Sequence, residues 1–212
     1  MSGAESIEEN IAYARRVAEE SREAPLVGGP FYLIWGLGAV IALGVHYATL
    51  KGWTGLQHSQ IGYIWLAFGV VGAVLTAVAG MFISKNPASR SVANKANSVV
   101  WVASAIAIFS FAIALLLKVF LVEQPEVISL DVAKRFDLII AVAFLAYAIS
   151  YSVTAALAKQ KHLYVFALAA YAFAISAILL SGNPETYLLA MAGVFVLALV
   201  PGLAQVFQQS RS

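Results

Sequence analysis

Six apolar runs dominate the chain, at about Phe31–Leu50, Gly62–Ile83, Ser98–Val122, Phe136–Ala158, Leu163–Ser181 and Thr186–Phe207. At 1.5 Å per residue, each crosses about 30 Å of hydrocarbon as a helix. Irregular backbone in lipid would leave N–H and C=O groups unpaired, at several kcal/mol each, so helices joined by short polar turns are the expected solution. The chain therefore reads as all-α: a polytopic six-helix transmembrane bundle with a short N-terminal cytoplasmic amphipathic helix. Its 212 residues are 61% hydrophobic and 11% charged, where a soluble domain carries about a quarter charged.

The helix ends are written into the sequence. Ser6-Ile-Glu-Glu9 has the form of a capping box and opens a short helix over Ile7–Glu23, with Ile7, Ile11, Ala14 and Ala18 on one face and i,i+4 pairs Arg15/Glu19 and Arg16/Glu20 on the others. Gly28-Gly29 ends it, and Pro30 suits the first turn of the next helix. Asn183-Pro184-Glu185 supplies a cap, a proline and an acid in the order a helix N-terminus favours. The expected division is residues 1–29 as the cytoplasmic helix and Gly-Gly break, 30–208 as the membrane domain and 209–212 as a cytoplasmic tail. Residues 1–23 carry six glutamates and no apolar core, so they are not expected to act as a cleavable signal peptide.

Counting cations by side orients the bundle. Arg15, Arg16, Arg22, Lys85, Arg90, Lys95, Lys159, Lys161 and Arg211 fall on one side, against Lys51, Lys118, Lys134 and Arg135 on the other. The positive-inside rule then puts both termini in the cytoplasm. The net charge of +2 therefore speaks to orientation, and no basic patch with interleaved aromatics suggests nucleic acid. The chain has no cysteine, which excludes disulfides, thiolate metal sites and cysteine nucleophiles.

Polar residues inside the runs are few. Asp137, Tyr147, Ser150, Tyr151 and Thr154 lie within about 140° of arc on the fourth helix, a face that should point inward. Tyr171 and Ser176 on the fifth helix, and Ser104 and Ser110 on the third, are expected partners. The face Tyr147, Ser150, Tyr151, Thr154 and Tyr171 is either a helix-packing seam or the lining of a ligand pocket. Lys118 and Asp137, at the outer ends of their helices, form a candidate ion pair, with Asp137 in a first turn where the dipole favours an acid. His46, His58 and His162 lack the facing ligands a metal or haem needs, so no metal and no cofactor is expected. Gly36, Gly44 and Ala48, and Gly69, Ala73, Ala77 and Gly80, give small-xxx-small spacing for close helix approach. Pro201-Gly202 should kink or end the sixth helix. None of the six helices carries an acid–base constellation, so no catalytic residue is named and the chain is expected not to be an enzyme.

The stretch "IAYARRVAEESREAPLVGGPFYLIWG", Ile11 to Gly36, resembles the front end of small six-helix inner-membrane proteins of proteobacteria, which join a short charged cytoplasmic helix directly to the first span. That group has no assigned activity, so the resemblance implies the bacterial inner membrane and no functional residue. The expectation is a non-enzymatic accessory or regulatory protein that packs against a partner membrane protein and docks a partner through Ile7–Glu23, with membrane lipid around it. The alternative is a small transporter, channel or lipophilic-ligand binder using the Tyr147/Tyr151 face.

Overall fold

The computed structural model describes residues 7, 9–13, 25–123 and 130–210, and among them every regular element is helical. The Ser6 capping box, the Arg15 and Arg16 pairs, Arg22 and Arg211 lie outside the described residues. The bundle comprises α1 (Gly29–Leu50), α2 (Ile61–Ile83), α3 (Val92–Leu117), α4 (Leu130–Leu157), α5 (Leu163–Leu179) and α6 (Glu185–Gln209). Five apolar helical stretches are long enough to cross a membrane, and α5 is the shorter one at 17 residues.

Caps explain where most helices start. Pro30 stands in the first turn of α1, and the Gly28 carbonyl accepts the amides of Phe31 and Tyr32. Gln57 and Gln60 form a reciprocal capping box ahead of α2. The Ser91 hydroxyl accepts the Asn94 amide at 3.2 Å, so α3 begins two turns before its expected start at Ser98. It then continues as a π-helical segment, Lys118–Glu123. Helix α4 begins at Leu130, six residues before the expected Phe136.

The sixth helix departs most from expectation. Pro201 neither ends nor breaks it; α-helix Glu185–Val194 widens into a π-helical turn over Phe195–Leu199 and resumes as Val200–Gln209. A proline clashes with the carbonyl four residues earlier and offers it no N–H. That carbonyl belongs to Leu197, inside the widened turn.

Helices α1, α4, α5 and α6 carry most of the core, with Tyr151, Ala148, Ala170, Leu197 and Ala198 fully buried. Close approach of α1 to α6 depends on glycine. A Cβ on Gly36 would lie 2.7 Å from Leu199 Cδ2, and one on Gly202 2.9 Å from Tyr32 Cβ. By contrast α2 has one buried residue, Gly72, under the Trp35 ring.

Ties at the ends fix which connections share a side. At one end Val27 N donates to Asn94 Oδ1 at 2.9 Å, Asn94 Nδ2 to Pro25 O at 2.9 Å, and Gln209 Nε2 to Leu26 O at 2.9 Å. Residues 25–28 thus strap the start of α1 to the start of α3 and the end of α6. At the other end Lys51 Nζ meets Glu185 Oε1 at 2.7 Å, and Ser181 Oγ donates to Lys134 O at 3.1 Å.

Candidate functional site

The polar face of α4 lies inside the bundle, where neighbouring helices bond the hydroxyls of Ser150, Tyr151 and Thr154 and pack a ring against Tyr147. Ser150, fully buried, shares a 2.7 Å hydrogen bond with Ser104 of α3. One turn along, Thr154 Oγ1 donates to Asn97 Oδ1 of α3 at 2.9 Å. The Tyr151 hydroxyl donates to the Leu197 carbonyl, the group that Pro201 deprives of a helical partner. Hydroxyl and carbonyl therefore answer each other's need in a medium without water.

Rings pack around those bonds. Trp101 of α3 meets Tyr147, Tyr151 and Tyr32 edge-to-face at centroid distances of 5.0, 5.3 and 4.8 Å. Tyr32 of α1 stacks on Tyr151 at 6.1 Å, and Phe166 of α5 lies 5.6 Å from the same ring. Such pairs contribute about 0.5–1.5 kcal/mol each beyond their buried area. Among the described residues, two polar atoms here are buried without a partner: Trp101 Nε1 and Gln205 Oε1. Both side chains adjoin Tyr32.

The structure thus joins Tyr147, Ser150, Tyr151 and Thr154, with Ser104 as the partner the sequence suggested. It does not bring Tyr171 to them. Tyr171 is 40% exposed, because α5 turns its alanine face inward: Ala167, Ala170, Ala174 and Ala177 are all buried, and Tyr171 sits about 80° from the centre of that face. Ser110 is exposed as well. Tyr32, Asn97 and Gln205 were not singled out by sequence, although Pro201 supplied a signal: the carbonyl four residues before a membrane proline needs a donor from another helix.

A second polar cluster lies toward the opposite end. Asp137, 5% exposed, accepts the Tyr187 hydroxyl at 2.7 Å and the Gly182 amide at 2.8 Å. The Tyr187 ring packs 3.9 Å from the His46 imidazole, whose Nδ1 accepts Trp65 Nε1 at 3.1 Å. Nδ1 being the acceptor, the neutral ring carries its proton on Nε2. Four helices are linked through these side chains. The ion pair expected between Lys118 and Asp137 is not made: Lys118 Nζ approaches Glu123 at 3.9 Å, and Glu123 is also held by Arg135 at 2.6 Å. Asp137 is not in a first turn either, because α4 starts at Leu130, so amide and phenol donors take the place of the helix dipole. Among the described residues, no group of three or more His, Cys, Asp or Glu side chains could hold a metal ion.

No protein-family model matches the chain, and no curated protein or solved structure shows significant similarity to it.

Proposed function

We propose that the chain is a non-enzymatic accessory or regulatory protein of the bacterial inner membrane, with six spans and both termini cytoplasmic, which packs against a partner membrane protein. One contrast carries this reading. Ser150, Tyr151 and Thr154 of the polar stripe of α4 are taken up by hydrogen bonds within the chain and Tyr147 packs on Trp101, whereas the small-residue stripe of α2 is not used at all. A methyl group added at Gly62, Gly69 or Gly80 would meet nothing within 4 Å, and with Ala73 these glycines fall within about 40° of arc. Small stripes of this kind let a second helix approach closely in lipid.

Six spans follow if α5 crosses as well; its 17 residues meet the lower bound of about 17 for a membrane helix. Sidedness is supported by the cations: Lys85, Arg90, Lys95, Lys159 and Lys161 share the end of the bundle where α1 begins, and Lys51, Lys118, Lys134 and Arg135 share the other. The resemblance of Ile11–Gly36 to proteobacterial inner-membrane proteins points to the same compartment.

Purification of the full chain in mild detergent, with mass spectrometry of whatever accompanies it, tests the proposal. A stoichiometric membrane partner lost on Gly69→Leu or on deletion of residues 7–23 is the expected result. A chain that migrates alone, unaffected by either change, refutes it. The unpartnered Trp101 Nε1 and Gln205 Oε1 favour a second reading, in which a small polar ligand sits against Tyr32 and Tyr151; Tyr147→Phe with Tyr151→Phe would then alter binding or flux.

A further inference from the structure

The flank formed by α3 and α4 carries two adjoining shallow, open clefts, of about 400 Å³ and about 370 Å³, that share Val99 and Val100. The first is bounded by Lys95 and Leu157 at the end of the bundle where α3 begins, and the second continues past Ala103 to Ala107. From Lys95 to Ala107 the groove runs about 18 Å along the helix, close to the roughly 15 Å depth of one leaflet's hydrocarbon. Its floor is apolar. The one hydroxyl on it, Ser104, is already committed to Ser150 and the Ala146 carbonyl.

Charge at the mouth selects the occupant. Lys95 is exposed and has no ion-pair partner among the described residues. Leu157, on the opposite wall, leads directly into the turn that carries Lys159 and Lys161. Lys159 is held at φ 53°, in the left-handed region where glycine or asparagine is the usual choice after a helix. Within residues 25–210 the described carboxylates, Glu123, Asp137 and Glu185, all belong to the other end, where Asp131 stands in the first turn of α4, while the glutamates of residues 1–23 precede this end in sequence.

We infer that this groove is a binding site for an anionic phospholipid, with one acyl chain lying between α3 and α4 from Lys95 to Ala107, the headgroup phosphate at Lys95, and Lys159 in the turn beyond Leu157 as a second cation on the same side. Acyl-chain length and leaflet depth match, and a cation at the rim is what distinguishes an anionic headgroup from a zwitterionic one. The inference needs only that the helices are in a membrane, and it is independent of any partner protein.

Native mass spectrometry of the full chain, titrated in detergent with phosphatidylglycerol or phosphatidylcholine of identical acyl chains, tests it. Wild type should retain the anionic lipid about fivefold better, the weight of one lysine near the headgroup. Lys95→Gln should bring the ratio toward one, and Ala103→Phe, which fills the groove and leaves the cations in place, should reduce retention of both lipids. Thermal unfolding unchanged in Lys95→Gln separates loss of the headgroup contact from loss of the fold. Equal retention of the two lipids by wild type overturns the inference, as does an unchanged ratio in Lys95→Gln. A dimer mass whose formation excludes lipid from the groove overturns it too, because a second copy is then the occupant.

Discussion

Tyr151→Phe removes one oxygen from the centre of the bundle, and its cost reports whether Pro201 is the reason that oxygen is there. Interhelical hydrogen bonds in membranes average about 0.6 kcal/mol, with a maximum near 1.7, because separated helices already satisfy their own backbone groups. The Leu197 carbonyl is an exception, since Pro201 supplies it no N–H whether or not the helices are associated. Its bond to Tyr151 is therefore gained on association with little competition, and the substitution should cost about 1.7 kcal/mol, more than tenfold in the folding equilibrium. In a Pro201→Ala background the carbonyl recovers a helical donor, so the same substitution should cost about 0.6 kcal/mol or less. The coupling of roughly 1 kcal/mol is large enough to resolve in a double-mutant cycle by reversible SDS titration in bicelles. Equal costs of Tyr151→Phe in the two backgrounds would refute the link between proline, π turn and tyrosine.

Other outcomes follow from the same geometry. Gly36→Val should destabilise by about 1–3 kcal/mol through overpacking, since its methyl groups meet Leu199 and Ala198, whereas Gly69→Leu should leave thermal stability in detergent unchanged; comparing the two melting curves checks this. Ser150→Ala leaves Ser104 with the Ala146 carbonyl as an alternative acceptor, so its cost in the same SDS titration should stay near 0.6 kcal/mol. The Lys51 ammonium is raised above its ordinary value of 10.5, chiefly by its hydrogen bond to Glu185. A raised folded-state value means that the pair's contribution is fully present below the unfolded lysine's pKa and is lost as pH rises through the folded one. Wild type and Lys51→Met should accordingly differ in melting temperature at neutral pH and converge in strongly alkaline buffer.

How much of this could be read from sequence depends on whether a residue's neighbours are local. Pro30 and Glu185 act within one turn of their own helix, and the starts they mark are found at or near them; Ser91, which caps α3, was not read as a cap, and that start was expected at Ser98. Along α4, hydroxyls at Tyr147, Ser150, Tyr151 and Thr154 recur at helical spacing, which is enough to give the inward face. On α5 a single tyrosine carried no periodicity, and the informative pattern was instead the alanines at Ala167, Ala170, Ala174 and Ala177. Asp137 was misplaced because helix α4 runs through Leu130–Phe136, charged residues included, before its apolar run begins; hydropathy marks where lipid starts, and backbone hydrogen bonding can start earlier. Its true partners, Tyr187 and Gly182, lie about fifty residues away in sequence. No local rule connects them.

The distribution of buried surface then says where an outside molecule could matter. Half of the most apolar stretch of α6 and 44% of that of α4 are buried, against 6% for both α2 and α3. Helices α1, α4, α5 and α6 hold together by glycine contacts, ring stacks and matched hydroxyls, so their inner faces are already spent. The stripe of Gly62, Gly69 and Gly80 on α2 and the groove beside Lys95 on α3 are different, because small side chains there leave space that the chain's own residues do not fill. In lipid an apolar surface alone gives no drive to associate, since hydrocarbon solvates it as well as protein does. Shape and rim charge must do the selecting. A close-packing stripe selects another helix, and a leaflet-deep groove with a cation at its mouth selects a charged lipid, so the two flanks can be occupied at once without competing.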